Sequence, residues 1–350
     1  MLHWKEFLSE ALNQHNKQIN NLANNLISMT PLNDDDIAID AGAGLGLVTK
    51  KLLKINKKFK IIAIDIEDAC IENLCEISKT CDDGKLQVLK NSLDNIELND
   101  NSADKIVERS VLMHCKNKLD VLKEYHRVLK SDGQISLFNS IIGDKIDRYY
   151  KYLPKSDKNY DFYKDVEEKV RNEEYDPLTN YSKNSLFADL KRAGFKNINI
   201  VKYNEYYFFK IYDRLNAEIL YEGVPHAYSY KEKCLKYMTE EQFDDYCLVL
   251  YNNLKYKVIT HKAEMLYIFA QKNPSLLSYI TLKLKLILFV LFKIMPEDLK
   301  IKLLSPLKIL KIKFACLVQK LSDSFCKQTD SMTEWNRQFD RWRSDEPQKF

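Results

Sequence analysis

Glycine and proline are scarce, with eight of each in 350 residues, which excludes a collagen-like or linker-dominated chain. Eight cysteines stand at 70, 75, 81, 115, 234, 247, 316 and 326, but no CxxC pair occurs among them. Cys70, Cys75 and Cys81 also lack zinc-finger spacing, so no metal site is expected. The first residues, Met1-Leu-His-Trp-Lys-Glu-Phe7, have no basic n-region, apolar h-region or small-residue cleavage site. A cytoplasmic protein with reduced thiols is therefore the expectation, although the cysteine count is even. No repeat of about 20–50 residues and no low-complexity linker divides the chain.

What is present is a globular composition, 45% hydrophobic and 30% charged. Its length suits two compact units, or one large domain with an extension, and excludes disorder and small disulfide scaffolds as overall descriptions. The net charge of +4 is uneven. Residues 276–320 hold nine Lys against Glu297 and Asp298, a net of +7, leaving −3 for the remainder. Within them Leu276–Met295 is a 20-residue apolar stretch carrying Lys283, Lys285 and Lys293. Two lysines well inside make a membrane span costly. The expectation is a basic amphipathic helical cap, with peripheral membrane contact as the minority alternative.

Hydrophobic periodicity organises the rest. Residues 5–28 read as a mostly polar helix with Phe7, Leu8, Leu12, Ile19, Leu22, Leu26 and Ile27 on one side. Short apolar runs at Ile37–Asp40, Lys60–Asp65, Leu86–Lys90, Lys105–Val107 and Gln134–Phe138 read as strands. Helices are expected at 48–55, 68–79 and 118–130, the last closed by Ser131-Asp132-Gly133. A sixth strand fits Ile198–Phe209, after a helix at Ser185–Ala193, and a seventh fits Ala263–Ala270. Such alternation indicates an α/β fold of parallel βαβ units. Residues 143–184, charged and tyrosine-rich, and 210–261, of helical character, interrupt it.

One segment carries chemistry. Asp40-Ala41-Gly42-Ala43-Gly44-Leu45-Gly46 follows a strand and precedes a helix. Gly42 and Gly44 let the backbone turn sharply and approach a ligand, at the strand ends where open α/β sheets bind ligands. Asp65 ends the next strand, where a carboxylate can accept hydrogen bonds from both hydroxyls of a ribose. Gly46 is followed by Leu47-Val48-Thr49 and not by the Lys of a P-loop, and the third glycine of the dinucleotide pattern is missing.

With these residues the chain resembles the class I S-adenosylmethionine-dependent methyltransferases. Ile37–Gly46 is similar to their first motif and Ile61–Ile66 to their second-strand motif. Asn99–Asp104, Arg109-Ser-Val-Leu-Met-His114 and Tyr125–Gly133 match the segments before and after their fourth strand. The resemblance spans about residues 36–272. It implies a Rossmann-like, seven-stranded, mostly parallel sheet with an antiparallel final strand. Helical insertions and a helical C-terminal extension complete that reading. The implied organisation is an N-terminal helix (1–30), an S-adenosylmethionine-binding core of strands one to five (31–142) and an insertion (143–184). Strands six and seven follow with a helical insertion (185–272, with 210–261 inserted), then the cap (273–350).

The resemblance also implies the site. Asp40, Gly42, Ala43 and Gly44 approach the methionine part of the cofactor, Asp65 holds the ribose and Ile66 flanks adenine. Ser92 and Leu93 stand where the family often has an acid near adenine. Arg109, ending strand four, faces cofactor or acceptor; the alternative is an ion pair with Glu108 or Glu124. His114 lies near the active-site rim, as a general base or as a packing histidine. His126 reads as structural, and His226 sits on an acceptor-side loop. Tyr149, Tyr150, Tyr152, Tyr203, Tyr206 and Tyr207 are candidates for an acceptor groove or for helical packing. Arg148, Arg171, Arg192 and Arg214 are candidates to clamp a carboxylate.

The Arg109–Phe138 stretch and the extra tail look similar to methyltransferases acting on ribosomally made, modified peptides, including those that esterify a C-terminal carboxylate. That acceptor is the leading expectation, within peptide natural product biosynthesis. A small-molecule O- or N-methyltransferase and a non-catalytic S-adenosylmethionine-binding module are the rivals. Nucleic acid is disfavoured, because Arg109-Ser-Val-Leu112 replaces the Pro-Pro-Tyr type tetrapeptide expected for amino methylation of bases.

Overall fold

In the computed structural model, residues 16–82, 84–141, 148–171, 177, 181–210, 229–254, 256 and 258–294 are described. The β-branched runs form the sheet's centre. They are β1 (Ile37–Ala41), β2 (Lys60–Asp65), β3 (Leu86–Lys90), β4 (Ala103–Arg109) and β5 (Leu129–Ile141). Long antiparallel strands β6 (Lys196–Lys210) and β7 (Val258–Gln271) complete it. The order is β3-β2-β1-β4-β5-β7-β6, the first five parallel and β7 antiparallel to both neighbours. This is the expected Rossmann-like, seven-stranded sheet.

Ile39, Ile64, Ile106, Ile135, Leu137, Leu266 and Ile268 are buried together in the main core. Helix α1 (Asn16–Met29) precedes the sheet, and α2 (Leu47–Leu53), α3 (Asp68–Lys79), α4 (Lys118–Val128), α5 (Tyr160–Arg171) and α6 (Lys183–Arg192) lie between strands. Of the expected N-terminal helix, positions 5–15 lie outside the described residues.

Most boundaries shift by one or two residues from the sequence reading, and two strands start much earlier. Ser131-Asp132-Gly133, expected to close α4, lies within β5, which starts at Leu129. Asp132 takes a left-handed φ of 62°, and the β4–β5 register shifts between Ala103 and Lys105, so an irregularity absorbs the turn residues. Likewise β7 begins at Val258 and not at Ala263, because Val258–Lys262 pair with Tyr206–Lys210 of β6.

The two insertions build one helical lobe. Residues Tyr149–Tyr152 form a 3-10 turn, and α5 packs with α7 (Tyr230–Cys234) and α8 (Glu240–Leu254). Tyr149, Tyr150, Tyr163, Phe243, Tyr246 and Leu250 form its core, separate from the sheet's. Tyr163 and Tyr246 approach to 4.6 Å between ring centroids. Tyr149 and Tyr150 are thus packing residues, with Tyr152 half-buried beside them. The side chains of Tyr203, Tyr206 and Tyr207 lie outside the described residues.

The chain divides into two compact units, 1–275 and 276–350. Of the second, α9 (Leu276–Ile294) is described, and the remainder of the expected cap lies outside the described residues. Among the described residues no helix is long and apolar enough to cross a membrane. Lys283 of α9 places its ammonium 5.5 Å from the centroid of the Tyr279 ring.

Candidate active site

The strand order reverses between β1 and β4, and in open α/β sheets such a switch point leaves a crevice at the strands' carboxyl ends. Asp40 and Arg109 stand there. A recess is lined by both, together with Gly42, Ala43, Gly44, Leu45, Leu47 and Val48. Five of the expected site residues are therefore brought together.

The glycine-rich turn is held by its own backbone: Ala43 N–H donates to the Ile64 carbonyl at 2.9 Å and Gly46 N–H to the Ala43 carbonyl at 3.0 Å. Gly42 and Gly44 both have positive φ, 63° and 54°. Their surroundings differ sharply. A Cβ on Gly42 would stand 2.3 Å from Cγ2 of Val111, whereas one on Gly44 would meet nothing within 4 Å. Gly42 is glycine for packing, and Gly44 leaves open space. Gly42→Ala should therefore lose about 2–5 kcal/mol of stability, combining left-handed strain with overpacking. Gly44→Ala should lose only about 1–2 kcal/mol, from strain alone. Denaturant titration of the two variants checks this, and equal losses would contradict the packing role of Gly42.

Asp40 is buried, and the Thr49 hydroxyl from α2 donates to its Oδ2 at 2.5 Å. Burial pushes its carboxyl up to about 6, against the opposing pull of Thr49 and of the Arg109 charge. The Arg109 guanidinium is itself drawn below its ordinary range by burial, while Asp40 acts the other way. Among the described residues the Arg109 side chain forms no hydrogen bond or ion pair. Its two anticipated acidic partners are engaged elsewhere. Glu124 pairs with Arg127 at 2.8 Å, and Glu108 is buried among four donors.

Asp65 joins the recess through the backbone. Its Oδ2 accepts from Gly44 N–H at 2.7 Å, and its Oδ1 from Ile66 N–H at 2.8 Å and Glu67 N–H at 3.0 Å. A carboxylate offers about four acceptor sites, so these three bonds leave about one. The carboxylate thus keeps acceptor capacity beyond its three backbone bonds.

The other expected residues are not among those lining the recess. Ile66 is exposed beyond β2, and Leu93 is buried in the main core. The Ser92 hydroxyl donates to the Asp94 carboxylate. His114 ends a 3-10 turn, Leu112–His114, with its N–H on the Val111 carbonyl at 2.8 Å. His126 packs edge-on against Phe195 at 5.3 Å. Arg148 pairs with Glu168 and Arg192 with Asp189. The side chain of Arg171, with Arg214 and His226, lies outside the described residues. Sequence reasoning missed Thr49, Val111 and Glu108. Only Glu108 left a signal, as an acid inside the buried run of β4. Among the described residues no group of three or more His, Cys, Asp or Glu could hold a metal ion.

Residues 39–137 match the model of the family described as the methyltransferase domain. No curated protein matches the sequence. Among solved structures, the BH2331 protein of Bacillus halodurans C-125 is 18% identical over 72% of this chain and 98% of its own, with a TM-score of 0.47. A phosphoethanolamine N-methyltransferase 2 of Haemonchus contortus, solved with S-adenosyl-L-methionine, is 14% identical over 72% of this chain and 52% of its own, with a TM-score of 0.44. A SAM dependent methyltransferase of Aquifex aeolicus is 21% identical over 49% and 78%, with a TM-score of 0.36. At such values none bears on the acceptor. Residues 39–137 thus hold a methyltransferase domain.

Proposed function

We propose that the recess holds S-adenosylmethionine as the methyl donor and that the acceptor is a carboxylate, the C-terminal one of a ribosomally made, modified peptide. The observation that carries the acceptor reading is Arg109, a half-buried cation lining the recess with no acidic side chain bonded to it. A buried charge is costly unless paired, and a carboxylate entering beside Arg109 would pair it. The peptide class follows from the resemblance of Arg109–Phe138 and of the tail.

On the donor side, Gly42, Ala43 and Gly44 would lie along the methionine part, with Asp40 below the turn. Asp65 would bind the ribose through its remaining acceptor capacity, and Ile66, Ser92 and Leu93 would border adenine. The fit of the chain to this group is the open space at Gly44 beside the backbone-held Asp65 carboxylate. S-adenosylmethionine supplies its methyl group on a sulfonium, so the leaving group is already activated. The protein's task is then to align the reacting atoms and to exclude water. A carboxylate is ionised at neutral pH, so no residue need take a proton from it. His114 is then dispensable as a base.

Turnover of a peptide with a free C-terminus, compared with its C-terminal amide, tests the reading. The expected product is an ester, formed on the free acid alone and hydrolysed in mild alkali. Arg109→Ala should lower kcat/KM by a factor equivalent to about 2–5 kcal/mol, and His114→Ala should retain much of the rate. A base-stable methyl group, or an equal rate on the amide, would exclude the carboxylate and leave an N-acceptor or another O-acceptor.

A further inference from the structure

We propose that Glu108 is a positioning residue for the donor recess: its carboxylate holds the turn after β4 so that Val111 seats against Gly42. The inference rests on reading that recess as the donor site.

Glu108 precedes Arg109 in β4, and neighbouring side chains of a strand point to opposite faces. While Arg109 lines the recess, Glu108 is fully buried. Its Oε1 accepts from Val111 N–H at 3.2 Å, Leu112 N–H at 2.9 Å and Asn139 Nδ2 at 3.1 Å. Its Oε2 accepts from the Tyr125 hydroxyl at 3.2 Å. Asn139 extends the arrangement by accepting Met113 N–H at 3.1 Å on its Oδ1. Two side chains thus hold three consecutive backbone N–H groups. Among the described residues no Lys, Arg or His pairs with Glu108, so these bonds alone offset the burial of the acid.

The turn they hold begins at Ser110, whose φ of 60° is left-handed for a residue other than glycine. Such a conformation persists only where its surroundings over-determine it. Ser110 N–H on the Phe138 carbonyl at 2.7 Å is one constraint, and the capture of the next three N–H groups by Glu108 and Asn139 is the other. The effect reaches the recess through Val111. Its Cγ2 and Cγ1 stand 2.3 and 2.6 Å from the place where a Cβ on Gly42 would be. Val111 therefore fills the space that Gly42 leaves, and Glu108 sets where Val111 sits.

Calorimetric titration of the full chain with S-adenosylhomocysteine tests this, with thermal unfolding as the check of folding. Glu108→Ala and Val111→Ala should each weaken binding about tenfold or more. Glu108→Gln keeps a carbonyl oxygen for Val111 and Leu112, and should stay within about threefold of the wild type. The Glu108→Ala/Val111→Ala pair should bind no worse than the weaker single variant, because both act through one contact. Additive losses, or a folded Glu108→Ala chain with unchanged affinity, would overturn the proposal. Should Glu108→Ala fail to fold, Val111→Ala decides: loss supports the role, and unchanged affinity overturns it. Asp65→Ala separates the two levels. If it too binds unchanged, the recess reading fails; if it alone loses affinity, only the role of Glu108 fails.

Discussion

Asp65→Ala is expected to reduce affinity for S-adenosylhomocysteine by at least about 1.5–3 kcal/mol, while the sheet remains folded. On the proposed reading, the direct part is the loss of one charge-assisted bond to the ribose. A second part comes from the backbone. Gly44, Ile66 and Glu67 would lose the carboxylate that accepts their N–H groups. The first of these fixes a glycine with φ of 54° whose neighbourhood is open, so the turn itself should loosen. Asp65→Asn should fall between the variant and the wild type, since one side-chain oxygen survives. Isothermal calorimetry, with circular dichroism to verify the fold, measures both. An unchanged affinity in Asp65→Ala would remove this residue from the donor site.

The largest expected loss of stability lies outside the recess. Glu167 of α5 is buried in the helical lobe, where it accepts Tyr149 N–H and Tyr150 N–H, each at 2.8 Å, and the Tyr246 hydroxyl at 3.1 Å. These donors come from both insertions, so one carboxylate ties α5 to the 3-10 turn and to α8. Glu167→Leu would leave buried donors without their acceptor, at a cost of about 3–5 kcal/mol in total. Thermal unfolding followed in the near-ultraviolet tyrosine band should show an earlier transition. Affinity for S-adenosylhomocysteine should change less, within about threefold, because the recess is built from the sheet. A loss of stability below about 1 kcal/mol would mean that packing of Tyr163 on Tyr246 carries the lobe without Glu167.

Much of the scaffold was legible because its signals are local. Ile61–Asp65 is a strand by its unbroken apolar run, and Asp68–Lys79 a helix by its apolar spacing. Where the reading slipped, non-local pairing overrode local chemistry. Ser131-Asp132-Gly133 has turn composition, yet β5 begins before it, flanked by β4 and β7. Val258–Lys262 reads as the end of an insertion, yet β6 supplies the partner that makes it strand. The tyrosines of 149–163 gave no sequence sign that they would meet α8, about 80 residues later in the chain and beyond β6.

The amino-acid sequence by itself determined the alternation of strands and helices, the glycine-rich turn after β1 and the acid that ends β2. Each depends on residues within one strand or turn of one another, through hydrophobic period, turn chemistry and the freedom of glycine. Only the tertiary structure decided what adjacent residues do. Glu108 and Arg109 are sequence neighbours of opposite charge, and pattern alone offers an ion pair. The fold separates them, burying Glu108 among Val111, Leu112, Tyr125 and Asn139 and leaving Arg109 beside Asp40. It also decided that Gly42 is required by Val111, 69 positions away, and that Asp65 is already held by three N–H groups. The physical reason is common to all three. Desolvation and close packing depend on which groups are brought together from distant parts of the chain, and no local pattern encodes that.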